Sequence, residues 1–152
     1  MVPQRIEREI LIDAPVEVVW AVVTEPDHIS RWFSDSVDLE LRPGGKAALH
    51  WDGHGTVPAS VVRVEPPHFF SFRWTVEPAQ DLTDDNSTLV EFSLSAEGDS
   101  TRLTVVESGF RDLAGPDDDK RRHFDEHHSG WDHELGELDE YVRQRTGTPA
   151  DR

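Results

Sequence analysis

From about Pro116 to about Arg145 the sequence reads as one helix, and that element constrains everything before it. Phe124, Trp131, Leu135, Leu138 and Val142 recur at helical spacing among mostly charged neighbours. Asp117, Asp118 and Asp119 at its start and Arg143 and Arg145 at its end complement a helix dipole. Globular helices average roughly 11–12 residues, so this one is far longer than usual. A helix of that length with one apolar stripe needs a long apolar partner. In its middle, "HSGWDHELGELDEYV" sets Gly130 beside Trp131. Glycine in a helix interior costs about 1 kcal/mol against alanine. The expectation is that Gly130 lets a strand or loop come close where Trp131 points inward.

The partner is written upstream. "RIEREILI" alternates, with Ile6, Ile10 and Ile12 on one face together with Arg8, as in a half-buried strand. "DAPVEVVWAVV" then changes period. Val16, Val19, Trp20 and Val23 form a helical stripe, with Asp13 placed to cap it and Pro15 near the first turn. "TEPDHISRWF" restarts a short helix, where Thr24 and Asp27 resemble a capping box. From Val37 to Ser108 the pattern is of strands broken by turns such as "RPGG", "DGHG" and "AEGDS". Alternation groups Phe70, Phe72 and Trp74 on one face, Val90, Phe92 and Leu94 on another, and Leu103, Val105 and Glu107 on a third. The count is about seven strands, largely antiparallel because the turns are short. The fold class expected is α+β, a single domain over residues 1–146 with a flexible tail at 147–152.

Taken in order, "IDAPVEVVWAVVTEPDHISRWF", "RPGG", "VVRVEPPHFFSFRW", "STLVEFSLS", "TRLTVVESGF" and "GWDHELGELDEYV" resemble the START-like (SRPBCC) superfamily. More closely, they resemble the branch related to the C-terminal domain of the activator of Hsp90 ATPase homologue 1. The resemblance implies a helix-grip fold, a curved antiparallel sheet around the long C-terminal helix with an elongated apolar cavity between them. Its members include lipid carriers, polyketide cyclases, hormone receptors, co-chaperone domains and antibiotic-sequestering resistance proteins, so it implies function only broadly. An Hsp90-activator-like co-chaperone working through its surface is a further expectation that the resemblance allows, less favoured because the activator's additional N-terminal domain is not expected here.

A net charge of −16 repels phosphate backbones, so nucleic acid is not an expected partner. No apolar run approaches the roughly 18 residues of a membrane span, and the N-terminus lacks a signal-peptide core. The expectation is a cytoplasmic protein, monomeric or weakly dimeric, without membrane insertion. There is no cysteine, hence neither a disulfide nor a thiolate metal site. His123 and His127 stand at i, i+4, but "HFDEHH" is not the helical zinc signature, and neither metal nor cofactor is expected.

Trp20, Trp32, Phe33, Trp51, Phe70, Phe72, Trp74 and Phe92 should point inward, joined from the last helix by Phe124, Trp131 and Leu135. Such an aromatic interior suits a hydrophobic, aromatic small molecule, either a natural product or an antibiotic held for self-resistance. Trp131 should lie near Trp20 or Trp74, and Trp32 or Phe33 should stand at the mouth. Glu107 and His128 supply polar groups on the inward faces, to anchor a ligand, to satisfy each other, or to act as base and acid in a cyclase or dehydratase. A solid core in which Trp131 merely fills space is the alternative.

Overall fold

The computed structural model describes residues 2–78 and 80–145, so the tail expected at 147–152 lies outside the described residues. Seven strands form one sheet: β1 (Arg5–Ile12), β2 (Ser36–Leu39), β3 (Lys46–Trp51), β4 (Gly55–Glu65), β5 (Phe69–Thr75), β6 (Ser87–Glu97) and β7 (Ser100–Ser108). Every pairing is antiparallel, in the order β1-β7-β6-β5-β4-β3-β2. Helices α1 (Val16–Thr24) and α2 (Pro26–Trp32) follow β1, and α3 (Asp117–Arg145) closes the chain after a 3₁₀ turn at Phe110–Asp112. The α+β architecture read from the sequence is thus the one the chain adopts.

Alternation does most of the work in the sheet. On β6, Val90, Phe92 and Leu94 are buried while Ser93 and Ser95 face out; on β7, Leu103, Val105 and Glu107 are buried. A register shift between Val61 and Arg63 leaves Val62 exposed and bends β4, as a bulge does. The "RPGG" turn is held by backbone proximity: a Cβ on Gly45 would lie 2.1 Å from the Glu40 carbonyl oxygen. Such a contact excludes any other residue there.

The helix starts differ in detail from the sequence reading. Pro15 is the N-cap of α1 and Glu25 that of α2, and neither makes a side-chain cap bond. Asp13 therefore does not cap α1, and Thr24 and Asp27 form no capping box. Thr24 is buried and its hydroxyl donates to the Trp20 carbonyl instead, the back-bonding open to a threonine at a helix end. The buried stripe of α1 contains Val22, and Trp20 is only half-buried.

Helix α3 buries Trp131, Leu135, Leu138 and Val142 in the main core and packs on β1, the 3₁₀ turn and both short helices. Its start at Asp117 lies one residue beyond the expected Pro116.

Candidate ligand-binding groove

Glu107 is the most deeply buried acid among the described residues, with no solvent exposure. An isolated carboxylate there would be very costly, and each of its oxygens is accordingly paired. Trp131 Nε1–H donates to Oε1 at 2.8 Å. Oε2 accepts from Trp74 Nε1 at 2.9 Å, from Thr88 Oγ1 at 2.5 Å and from His127 Nδ1 at 2.7 Å. Strands β5 and β6 and helix α3 are thereby tied to one carboxylate on β7.

The charges of the pair support one another. Burial pushes the Glu107 carboxyl up, but the His127 imidazolium and the hydrogen bonds outweigh it and hold the group below its ordinary value. Burial likewise pushes His127 down, and the Glu107 carboxylate reverses that and holds the imidazole above its ordinary value. His127 Nδ1 is committed to Glu107, while its Nε2 has no hydrogen-bond partner among the described residues.

That imidazole sits on the wall of a groove of about 140 Å³, lined also by Phe33, Trp51, Trp74, Trp131, Gly130, Glu126 and Glu134. Phe33 stacks on both Trp74 and Trp131, at 5.6 Å from each ring centre. Trp74 and Trp131 lie 6.1 Å apart, as expected for one of the two possible neighbours of Trp131. Trp51 Nε1–H donates to the Phe33 carbonyl, and Trp32 Nε1–H to the Val22 carbonyl, so the indoles keep partners while their rings stay apolar.

Gly130 has a different role from the one expected. Nothing lies within 4 Å of where its Cβ would be, so no strand or loop approaches it. The missing side chain leaves the space that the groove occupies.

Behind Phe33 lies a second, apolar cavity between α2 and the sheet, bounded by Trp32, Phe70, Phe72 and Phe92 among others. Its free volume is about 30 Å³, room for two or three water molecules by the usual measure. The roomy aromatic chamber expected from the composition is thus mostly filled: Phe70, Phe72 and Phe92 pack on one another at 5.5–6.2 Å. Phe33 is common to both spaces.

The remaining site expectations divide. Glu107 faces inward as alternation requires, but beneath the groove wall rather than on its surface. His128 does not meet it. Arg8 of β1 donates to His128 Nε2 at 2.5 Å and also bonds Asp132, so His128 belongs to the sheet edge. Phe124 is half-buried against Phe110 and His128, Leu135 is core, and Trp20 lines neither the groove nor the cavity. Sequence reasoning missed His127 as the partner of Glu107, and also missed Glu134, whose only sign was its place one turn after Gly130. His123 is buried, with Nε2 3.6 Å from Glu77 and Nδ1 without a partner. Among the described residues no three metal-ligating side chains converge, and no helix is long and apolar enough to cross a membrane.

Comparison with known structures gives the same architecture. Protein MLL2253 from Mesorhizobium loti superposes with a TM-score of 0.78 at 24% identity, over 93% of this chain and 98% of that one. CalU16 from Micromonospora echinospora gives 0.69 at 27% identity, over 93% and 78%. DynU16, a protein of the dynemicin biosynthetic locus, gives 0.73 at 23% identity over 93% of this chain, which matches 48% of DynU16. No curated relative matches the chain in sequence. The model of the family described as "Activator of Hsp90 ATPase homolog 1-like protein" matches residues 13–143, and the chain belongs to that family.

Proposed function

We propose that the protein binds an aromatic, largely apolar small molecule in the groove beside α3 and sequesters or carries it. The observation that carries this reading is the His127 imidazole. Glu107 fixes its orientation, aromatic rings flank it, and Nε2 is left unpaired on the wall of an open groove. A ligand oxygen accepting from Nε2–H would be held while its rings lie on Phe33, Trp51 and Trp131. The vacancy at Gly130 supports the same reading, since a helix gains stability from any other ordinary residue there. DynU16's place in a biosynthetic locus favours a natural product as the ligand, held for transfer or for self-resistance.

A cyclase or dehydratase is the second reading, favoured by the same dyad, since a carboxylate-oriented imidazole is a serviceable general acid. Among the described residues no activated nucleophile accompanies it in the groove.

Native mass spectrometry of the protein drawn from its own host, together with tryptophan-emission titration with anthraquinone, tests the binding reading. The parent protein should bind the probe, and Gly130→Leu, which fills the groove from a helical position, should weaken it by roughly tenfold or more. Equal binding by both proteins would remove the groove from consideration.

A further inference from the structure

The polar groups at the two ends of the groove are carboxylates. Glu126 lies one turn before Gly130 and Glu134 one turn after it, both on the groove-facing side of α3. Glu126 is exposed and faces Arg122 at 3.8 Å. Glu134 is half-buried and has neither an ion pair nor a hydrogen bond among the described residues. Leaving a carboxylate in that state is unfavourable unless something supplies the missing charge.

The other groups around Glu134 do not supply it. From α3 it faces Glu126, His127, His133 and Glu137; from α2 and the turn after it, Arg31 and Asp35. The charge of His127 is already matched by Glu107, and Arg31 makes no ion pair with Glu134. Burial first, and then Glu137, push the Glu134 carboxyl up to about 7. Beside this unmatched acid stand the rings of Phe33, Trp51 and Trp131, and aromatic faces attract ammonium groups.

Resting on the groove reading above, we infer that the ligand is an aromatic compound bearing a basic amine. Its rings occupy the space over Gly130, and its ammonium lies beside Glu134 with Glu126 at the other end. A neutral ligand leaves Glu134 unmatched, and an anionic one opposes it.

The test uses the full chain at pH 8 and three flat probes: 9-aminoacridine as cation, acridine as neutral ring, and anthracene-9-carboxylate as anion. Tryptophan emission reads binding. The cation should bind about tenfold tighter than the neutral ring, the worth of one charge-assisted contact, and the anion more weakly than either. Glu134→Gln should abolish most of that preference, read as the ratio of 9-aminoacridine to acridine affinity in the same variant. Asp118→Asn, which removes the same charge from the exposed start of α3, should keep the preference, and so separates a local contact from the attraction of a −16 chain. Affinity for 9-aminoacridine should also fall between pH 8 and pH 6 as Glu134 takes up its proton. If acridine binds in a Gly130-dependent way but the cation has no advantage, the inference is overturned and the groove reading survives. If no probe binds, both fail. A preference that persists in Glu134→Gln overturns the assignment to Glu134.

Discussion

Glu107 and His127, twenty positions apart and on different elements, meet through a 2.7 Å hydrogen bond beneath the aromatic groove. Removing one partner of a buried charged pair costs about 3–5 kcal/mol. Glu107→Ala should fall in or above that range, because it also strands the N–H of Trp131 and leaves Trp74 only its 3.1 Å bond to the Thr88 hydroxyl. Urea denaturation followed by far-UV circular dichroism measures it. A loss under about 1 kcal/mol would show that the carboxylate does not organise this region.

The pair also sets a pH window. The Glu107 carboxyl is held below its ordinary 4.5, so the stability it contributes is present above that pH and lost as pH falls through the lower folded value. The His127 imidazole is held above its ordinary 6.5, so its contribution is full below that pH and lost as pH rises through the higher folded value. The contribution of the pair should therefore be largest between about pH 4.5 and 6.5. Glu134, raised to about 7, adds to a decline in stability across pH 4.5–7. Denaturation midpoints recorded from pH 4 to 9 should show this shape, and His127→Gln should flatten the alkaline limb.

Gly130→Ala and Gly136→Ala form a matched pair. Both positions are helical, and neither has an atom within 4 Å of its absent Cβ. Each substitution should stabilise the protein by about 0.5–1 kcal/mol. Only the first should weaken binding of an aromatic probe, because Gly136 lies away from the groove. Calorimetry and fluorescence titration on the same samples separate the two effects.

Trp131→Ala should cost about 3–5 kcal/mol, as for a tryptophan in a solid core. Trp131 is only 2% exposed and packs on Phe33, Trp74 and Phe92. Phe33→Ala should cost less, about 1–3 kcal/mol, since Phe33 is half-buried. It should also join the inner cavity to the groove and raise affinity for four-ring over two-ring probes, which a pyrene and naphthalene titration would reveal. An unchanged ratio would mean that Phe33 does not separate the two spaces.

The sequence made the scaffold legible because burial there follows simple periods. Two-residue alternation on β6 and β7 placed Glu107 inward, and the stripe of α3 placed Trp131. The choice between His127 and His128 was beyond periodicity. At about 100° per residue the two lie roughly 50° to either side of the stripe's centre, so each is equally inward. The sheet decides: one flank lies over β1, where Arg8 waits, and the other over the interior, where Glu107 does. Gly130 was misread because a glycine made necessary by contact and one left open by a vacancy look alike in a sequence. Aromatic content gave the amount of apolar surface but not how tightly the rings would pack.

The convergence of four donors on Glu107 has a consequence for affinity. Trp74, Trp131 and His127 are held in single rotamers by bonds that exist before any ligand arrives. Each rotamer-rich side chain immobilised at an interface takes about 0.5–1.5 kcal/mol from affinity. Here that entropy is lost during folding, so a guest in the proposed groove would meet walls already set, and the conformational freedom left for it to restrict would be mainly that of Phe33 and Glu134.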